Sequence, residues 1–302
     1  MTEDREASIQ SGIIIIDKPP GPTSHEVAAW VRDILGVRTG QGGTLDPMVS
    51  GILIVMLGKA AKIAEHLLAH DKEYICLLKL HGDVAEDEIR EVISSFCGRI
   101  YQRPPRRSAV KRALRIRTIY AIEVLDIEGR LVLFRVRCEA GTYIRTLCVH
   151  IGLALGVRGQ MVELRRTLSG GFGEADAHTL HELADAKAAA DDGDPEPLKQ
   201  MILPVERAVA DLPSITVRSS AVDAICRGAQ LAGAGVLSCT TFAKGDTVAL
   251  MTGAGECIGL GTARIPSEKC VPGKHGFVAR PQSILMEPGR YPRGWKKKSR
   301  IK

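Results

Sequence analysis

Short apolar runs alternate with helical periodicities through the first two thirds of the chain. Ile13–Ile16 is a continuous apolar run closed by Asp17-Lys18-Pro19-Pro20-Gly21-Pro22, a pattern that predicts a buried strand ended by a rigid turn. Thr23-Ser24 supplies an N-cap, Val27, Trp30, Val31 and Ile34 follow at helical spacing, and Gly36 marks the helix end. Ile52–Leu57 predicts a second buried strand, Ala60–Leu68 a helix, Lys72–Leu80 a strand and Glu86–Phe96 another short helix. Leu125–Cys138 reads as a hairpin around Glu128-Gly129-Arg130, and Thr142–Leu155 carries apolar residues on a helical repeat. Strands and helices alternate without a strict βαβ period, so the pattern predicts a mixed α/β or α+β domain. Past Asp211-Leu212-Pro213 the chain becomes glycine-rich with short apolar runs at Ile215–Val217, Thr247–Met251 and Cys257–Leu260, interrupted by one short helix, Ser219–Arg227. That predicts a small β-rich module of about half the size at which domains are commonest. A basic tail, Tyr291–Lys302, closes the sequence.

Composition changes this picture only at two stretches. Hydrophobic content of 45% and charged content of 25% are ordinary for a globular chain. A net charge of +6 and a pI near 8.9 lean mildly towards polyanionic partners. Arg99–Tyr120, however, holds eight basic residues and no acid. Its Pro104-Pro105 and apolar side chains mark it as partly packed, and guanidinium groups on a packed element suit phosphate oxygens. Glu174–Glu196 is the reverse, eight acids against Lys187, and its alanine- and aspartate-rich part, Ala184–Pro197, predicts a solvated helix end and loop on the far side from any nucleic acid. The eight cysteines form no CxxC pair and sit mostly in apolar segments, which points to reduced, buried thiols rather than zinc ligation. His178 and His181, three apart among acids, fit a helix N-terminus better than a metal site. A polar start, MTEDREASIQ, and the lack of any long apolar run lead us to expect a cytoplasmic protein with no membrane segment.

One loop carries candidate chemistry. Thr39–Gly51 holds glycines at 40, 42, 43 and 51 and one acid, Asp46, in front of Pro47. Proline pushes Asp46 towards extended geometry, and the glycines leave room for close approach. Asp-Pro beside glycines is by itself an ordinary turn. The chain has no P-loop, GxSxG, HExxH or Rossmann fingerprint after a strand. The residues thus describe an RNA- or DNA-facing α/β protein with one conspicuous carboxylate.

GGTLDP at 42–47 resembles the catalytic motif of the TruB-type pseudouridine synthases. DKPPGPTSHEV at 17–27, KEY at 72–74, SAVKRALRIRTIY at 108–120, GTYIRTL at 141–147 and ELRRTLSG at 163–170 extend the likeness, and their form is similar to the archaeal, dyskerin-like branch. AVDAICRGAQL at 221–231 and KGDTVALMTGAGECIGLG at 244–261 resemble a PUA domain. The resemblance runs in one consistent order over about 12–295. It implies an α+β catalytic domain with a mixed, largely antiparallel sheet at 1–212, its first 12 residues packing on the PUA domain, a PUA pseudo-barrel at 213–290 and a tail at 291–302.

It also implies roles. Asp46 matches the nucleophile that attacks the target uridine, at the sugar or at the base; the glycosidic bond breaks and the uracil is rejoined through C5. No metal or organic cofactor is needed for this isomerisation. Arg145 matches the partner of that aspartate, expected as a buried ion pair that favours the charged carboxylate and fixes its rotamer. Tyr74 matches the residue that stacks on the flipped base and takes the C5 proton. Leu164, Tyr143 and Lys18 are expected at the substrate-binding site, the first two lining the pocket and Lys18 bracing the active-site loop in a supporting role. Gln41 stands where relatives commonly carry histidine; it can hydrogen-bond but cannot be protonated. Arg103, Arg106, Arg107, Lys111, Arg112, Arg165 and Arg166 are the RNA-binding candidates. The implied partners are tRNA, rRNA and a box H/ACA guide RNA, together with small Nop-type, Gar-type and kink-turn-binding, ribosomal-like proteins, with no DNA and no membrane. A stand-alone activity on the TΨC-loop uridine of tRNA fits the same resemblance. The competing readings are a non-catalytic RNA-binding scaffold and an aspartate-nucleophile hydrolase; Thr39–Lys62 lacks the extra acids the latter needs to hold a metal.

Overall fold

The computed structural model describes residues 11–104, 113–271, 273 and 276–292. Contacts divide these into two compact units, one of Ile14–Val55 and Glu65–Met201, the other of 11–13, Met56–Ala64 and 202–292.

The first unit is built on a ten-stranded sheet. Strands β1 (Ile13–Lys18), β3 (Ser50–Leu57), β4 (Lys72–Leu80), β5 (Gly98–Gln102), β6 (Arg115–Glu128), β7 (Leu131–Cys138), β8 (Gly159–Ser169) and β10 (Ala177–His178) run in the order β10-β1-β3-β8-β4-β7-β6-β5. Short β2 (Thr39–Gly42) pairs with β3, and β9 (Phe172–Gly173) with β8. The β1–β10 and β3–β8 ladders are parallel; β4 is antiparallel to both β7 and β8, and the β5–β6–β7 ribbon is antiparallel throughout. This is the mixed, largely antiparallel sheet expected of the catalytic domain.

Helix α1 (Ser24–Leu35) begins as its sequence predicts. Thr23 Oγ1 accepts from the Glu26 amide (3.1 Å) and Glu26 Oε2 accepts from the Thr23 amide (2.7 Å), while Gly36 ends the helix at φ 68°. Val27, Val31 and Leu35 are buried, but Trp30 is 44% exposed and stands at the rim of the apolar face. The predicted Ala60–Leu68 helix is instead a 3₁₀ turn, Gly58–Ile63, leading into a short α2 (Ala64–Leu68). Helices α3 (Glu86–Ser95) and α4 (Ile144–Ala154) cover one face of the sheet, where Cys76, Leu78, Phe134, Val136, Leu147 and Ile151 form the core. The acidic stretch is more ordered than expected, with α5 (Leu180–Asp191) burying Leu183, Ala186 and Ala190 and α6 (Glu196–Met201) following. Thr179 is the N-cap of α5, so His178 and His181 flank a helix start.

The second unit is a six-stranded sheet, β12-β16-β15-β14-β11-β13, formed by β11 (Ser214–Val217), β12 (Leu231–Ala232), β13 (Val236–Cys239), β14 (Thr247–Thr252), β15 (Cys257–Ala263) and β16 (Phe277–Ile284). Helix α7 (Ser219–Cys226) contributes Val222 and Ile225 to a core with Ile215, Val217, Val248, Leu250 and Ile258. The earlier segment is stitched in by Lys62, whose Nζ donates to the Ile284 carbonyl (2.9 Å) and whose carbonyl accepts from Ser283 Oγ (3.0 Å). No helix among the described residues is long and apolar enough to cross a membrane.

Candidate active site

The Asp46 loop, between β2 and β3, is held from beneath. Ser24 Oγ accepts from the Leu45 amide (2.8 Å) and donates to its carbonyl (3.0 Å); the Gly21 amide donates to the Pro47 carbonyl (2.8 Å). The Val49 amide returns to the Asp46 carbonyl (3.0 Å), closing a turn through Pro47 and Met48. Lys18 completes the brace, its Nζ donating to the carbonyls of Pro19 (2.7 Å), Pro47 (3.0 Å) and Val49 (2.7 Å). Its burial lowers its pKa, and the nearby Asp46 charge opposes that fall. Lys18 is wholly buried, so it supports the loop and offers no face to a substrate, which corrects its assignment to substrate binding.

Above this brace Asp46 is exposed. Its Oδ2 accepts from Arg145 Nη2 at 2.7 Å, with the two side chains 60% and 47% exposed. The ion pair is therefore at the surface rather than buried as expected. The reason is local: Arg145 lies in the first turn of α4, on the side away from Ile144, Leu147 and Cys148, which face the core. Tyr143 caps that helix, and its backbone is clamped by Gln102, whose Oε1 accepts from the Tyr143 amide (3.0 Å) and whose Nε2 donates to its carbonyl (3.1 Å). Gln102, 1% exposed, was missed in the sequence. A glutamine inside the basic stretch gives no sign that it reaches across 41 positions to set the helix carrying Arg145.

The third wall is the β4–β8 ladder. Tyr74 is the cross-strand partner of Arg166, and Leu164 that of Cys76. Tyr74 and Leu164 are half-buried on the α4-covered face. Burial raises the Tyr74 phenol pKa; the positive charge of the nearby Arg166 guanidinium pulls the other way. Arg166 is 1% exposed and donates from Nε to the Ile52 carbonyl (2.8 Å) and from Nη2 to the Gly43 carbonyl (2.9 Å). It is an interior residue, which removes it from the RNA-binding set. Arg165 is engaged as well, bidentate to Asp17 (2.8 and 3.0 Å) and bonded to Glu174 (2.6 Å), so its charge is already met by two acids. Arg103 is exposed just beyond β5; Arg106, Arg107, Lys111 and Arg112 lie outside the described residues. Gln41 places Nε2 3.3 Å from the His25 ring nitrogens, while its Oε1 is buried with no hydrogen-bond partner.

Comparison with known proteins agrees with this architecture. Residues 32–144 match the TruB family pseudouridylate synthase N-terminal domain, 145–210 the tRNA pseudouridylate synthase B C-terminal domain and 213–285 the PUA domain. A probable tRNA pseudouridine synthase B of Methanosarcina barkeri is 53% identical over 293 residues, covering 96% of this chain and 87% of that protein. The corresponding protein of Pyrococcus furiosus is 50% identical over 299 residues, covering 98% and 88%. Among solved structures, a Cbf5-Nop10-Gar1 complex contains a chain with a TM-score of 0.90 and 49% identity, covering 96% of this chain and 89% of that one. An H/ACA RNP bound to a substrate RNA containing 2'-deoxyuridine gives 0.89 and 47%, covering 96% and 90%. Fold and sequence together define the class, an RNA-modifying isomerase with an appended PUA domain. The chain belongs to the TruB family of pseudouridylate synthases, and its likeness is to the archaeal members.

Proposed function

We propose that Asp46 is the nucleophile of a guide-directed uridine-to-pseudouridine isomerisation on rRNA, with stand-alone action on the TΨC-loop uridine of tRNA. The observation that carries this reading is the Arg145–Asp46 pair, 2.7 Å apart on an exposed but rigid loop. A carboxylate that must add to a substrate needs to be ionised, oriented and reachable, and this one is presented to solvent with its rotamer held by a guanidinium. Tyr74 supplies an aromatic face for the flipped base and an oxygen for the C5 proton; Leu164 and Tyr143 line the same pocket. Arg103 and the basic stretch beyond it would follow the RNA backbone, and the PUA domain would hold the guide's lower stem and ACA end. The H/ACA assembly with substrate RNA and the Cbf5-Nop10-Gar1 complex support an RNA guide and Nop- and Gar-type partners for this chain.

The test is pseudouridine formation on a tRNA and on an rRNA fragment, with and without guide RNA and accessory proteins. Asp46→Asn is expected to abolish product in every arm while RNA affinity stays within about 3-fold. Product from the Asp46→Asn chain would reject the nucleophile, and rRNA modification independent of guide would reject guided action.

A further inference from the structure

Arg166 is a buried cation without a carboxylate. Among the described residues no acid lies within ion-pair distance of it, although Arg165 beside it has two. Burying a guanidinium that only carbonyls satisfy is costly, and two carbonyls occupy only part of its five donors. Its place explains what it can do. The Gly43 and Ile52 carbonyls that it holds stand on either side of the Asp46 loop. Gly43 makes room for it: at φ 99°, a Cβ there would sit 3.3 Å from Nη1. Across the β4–β8 ladder it faces Tyr74, at a bulge where Thr167 is the extra residue and the Glu73 carboxylate is held by Thr167 Oγ1 (2.9 Å). The bulge breaks the regular alternation and re-aims the pair.

We propose that Arg166 is the positioning residue for the proton transfer at C5, fixing the Tyr74 oxygen relative to the nucleophile loop and stabilising negative charge on it. The inference rests on the reading of Tyr74 as the group that takes that proton. In that step the C5–H bond breaks, its electron pair returns to the ring and the proton passes to the tyrosine oxygen; N1 gains a proton, so uridine and pseudouridine contain the same atoms. A phenol in an apolar wall resists carrying negative charge. A fixed guanidinium against its oxygen offsets that resistance without having to reorganise during the reaction. The same fork sets the distance between the tyrosine and Asp46, because both ends of the loop hang on it.

The experiment compares single-turnover pseudouridine formation by Arg166→Lys, Arg166→Gln, Tyr74→Phe and the paired variants of the full chain, each checked for a cooperative melt and for RNA affinity. Arg166→Lys and Arg166→Gln are expected to lose about 30-fold or more in rate with RNA affinity within about 3-fold, and to lose no more than about 2-fold when combined with Tyr74→Phe beyond what Tyr74→Phe loses alone. The rising limb of the rate–pH profile should move to higher pH in Arg166→Lys, because the phenolate is no longer favoured. Losses that multiply in the paired variants, or a limb that stays in place, overturn the inference and leave Arg166 as a tie between strands. Full activity in Tyr74→Phe overturns instead the reading of Tyr74. Should neither Arg166 variant fold, the Tyr74→Phe chain decides by NMR: the Arg166 guanidinium ¹⁵N resonances must shift when the phenol oxygen is removed, and unchanged resonances reject the contact.

Discussion

Asp46 lies on the loop that Lys18 braces from β1, and the two invite opposite tests. The Asp46–Arg145 pair is half exposed on both sides, and such pairs contribute about 0.2–1 kcal/mol to stability. Arg145→Met should therefore leave the urea midpoint almost unchanged while lowering the pseudouridylation rate by about 100-fold or more, since what it loses is orientation of the carboxylate. A midpoint that falls as far as the rate would show that Arg145 acts on the fold. Lys18→Met removes a donor from three carbonyls at once, that of Val49 buried and those of Pro19 and Pro47 partly so. Leaving buried acceptors unpaired costs about 2–4 kcal/mol, so this variant should melt early, and its rate loss should follow the loop's disorder. On the proposed reading, the buried member of the site is the structural one and the exposed member is the one placed to react.

At the scale of elements, β3 and β8 bring the loop to the ladder that carries Tyr74. Gly51 makes this contact possible. It pairs with Arg166 at φ 97°, and a Cβ there would lie 2.2 Å from the Arg166 carbonyl oxygen. Gly51→Ala must push the strands apart and also strain its own backbone, with an expected loss of about 2–4 kcal/mol and of most activity. Thermal melting checks the first and single-turnover product the second; a chain melting within a degree of the unaltered one would show that β3 and β8 do not need this approach. Much at this scale was legible in the sequence. Thr23, Glu26 and Gly36 bound α1 through capping chemistry that reads directly from residue type, and the Glu128-Gly129-Arg130 turn sets the β6–β7 hairpin. Asp46 and Arg145 could be paired through the family motif, not through any local pattern. What local pattern could not give was depth. Arg165 and Arg166 look alike in sequence, yet one is half exposed between two acids and the other lies in the interior. Only the β8 register, broken by the bulge at Thr167, decides between them. Gln102 was illegible for the same reason: its partner lies across the sheet.

For the whole molecule, the eight cysteines link sequence to pH behaviour. All are free thiols, and five titrate above the ordinary thiol range: burial pushes Cys138 on β7 and Cys257 on β15 to about 12 and Cys270 to about 11, burial raises Cys226, and contact with the Cys148 thiol together with burial raises Cys76 furthest. Lys72, 5% exposed beside Cys138, moves the other way, lowered by burial to about 8. The signs oppose each other. The folded thiols keep protons that the unfolded chain releases near pH 9, so their contribution is complete below 9 and is lost as pH climbs towards 12. Folded Lys72 gives up a proton that the unfolded chain keeps up to about 10.5, so stability from it grows between about 8 and 10.5. Each group contributes a slope of about 1.4 kcal/mol per pH unit within its window. Between pH 9 and 10.5 several raised thiols act against one lysine, so stability should decline with pH, and the decline should steepen once Lys72 has finished titrating. Urea midpoints read at half-unit steps from pH 8 to 11 follow this directly. Replacing Cys138 and Cys257 with alanine lowers stability at every pH through lost packing, but it should make the decline between 9 and 10.5 shallower by about 2.8 kcal/mol per unit, because two of the thiols that oppose Lys72 are then gone. A decline that stays as steep after both replacements would place the alkaline sensitivity elsewhere than in these two thiols.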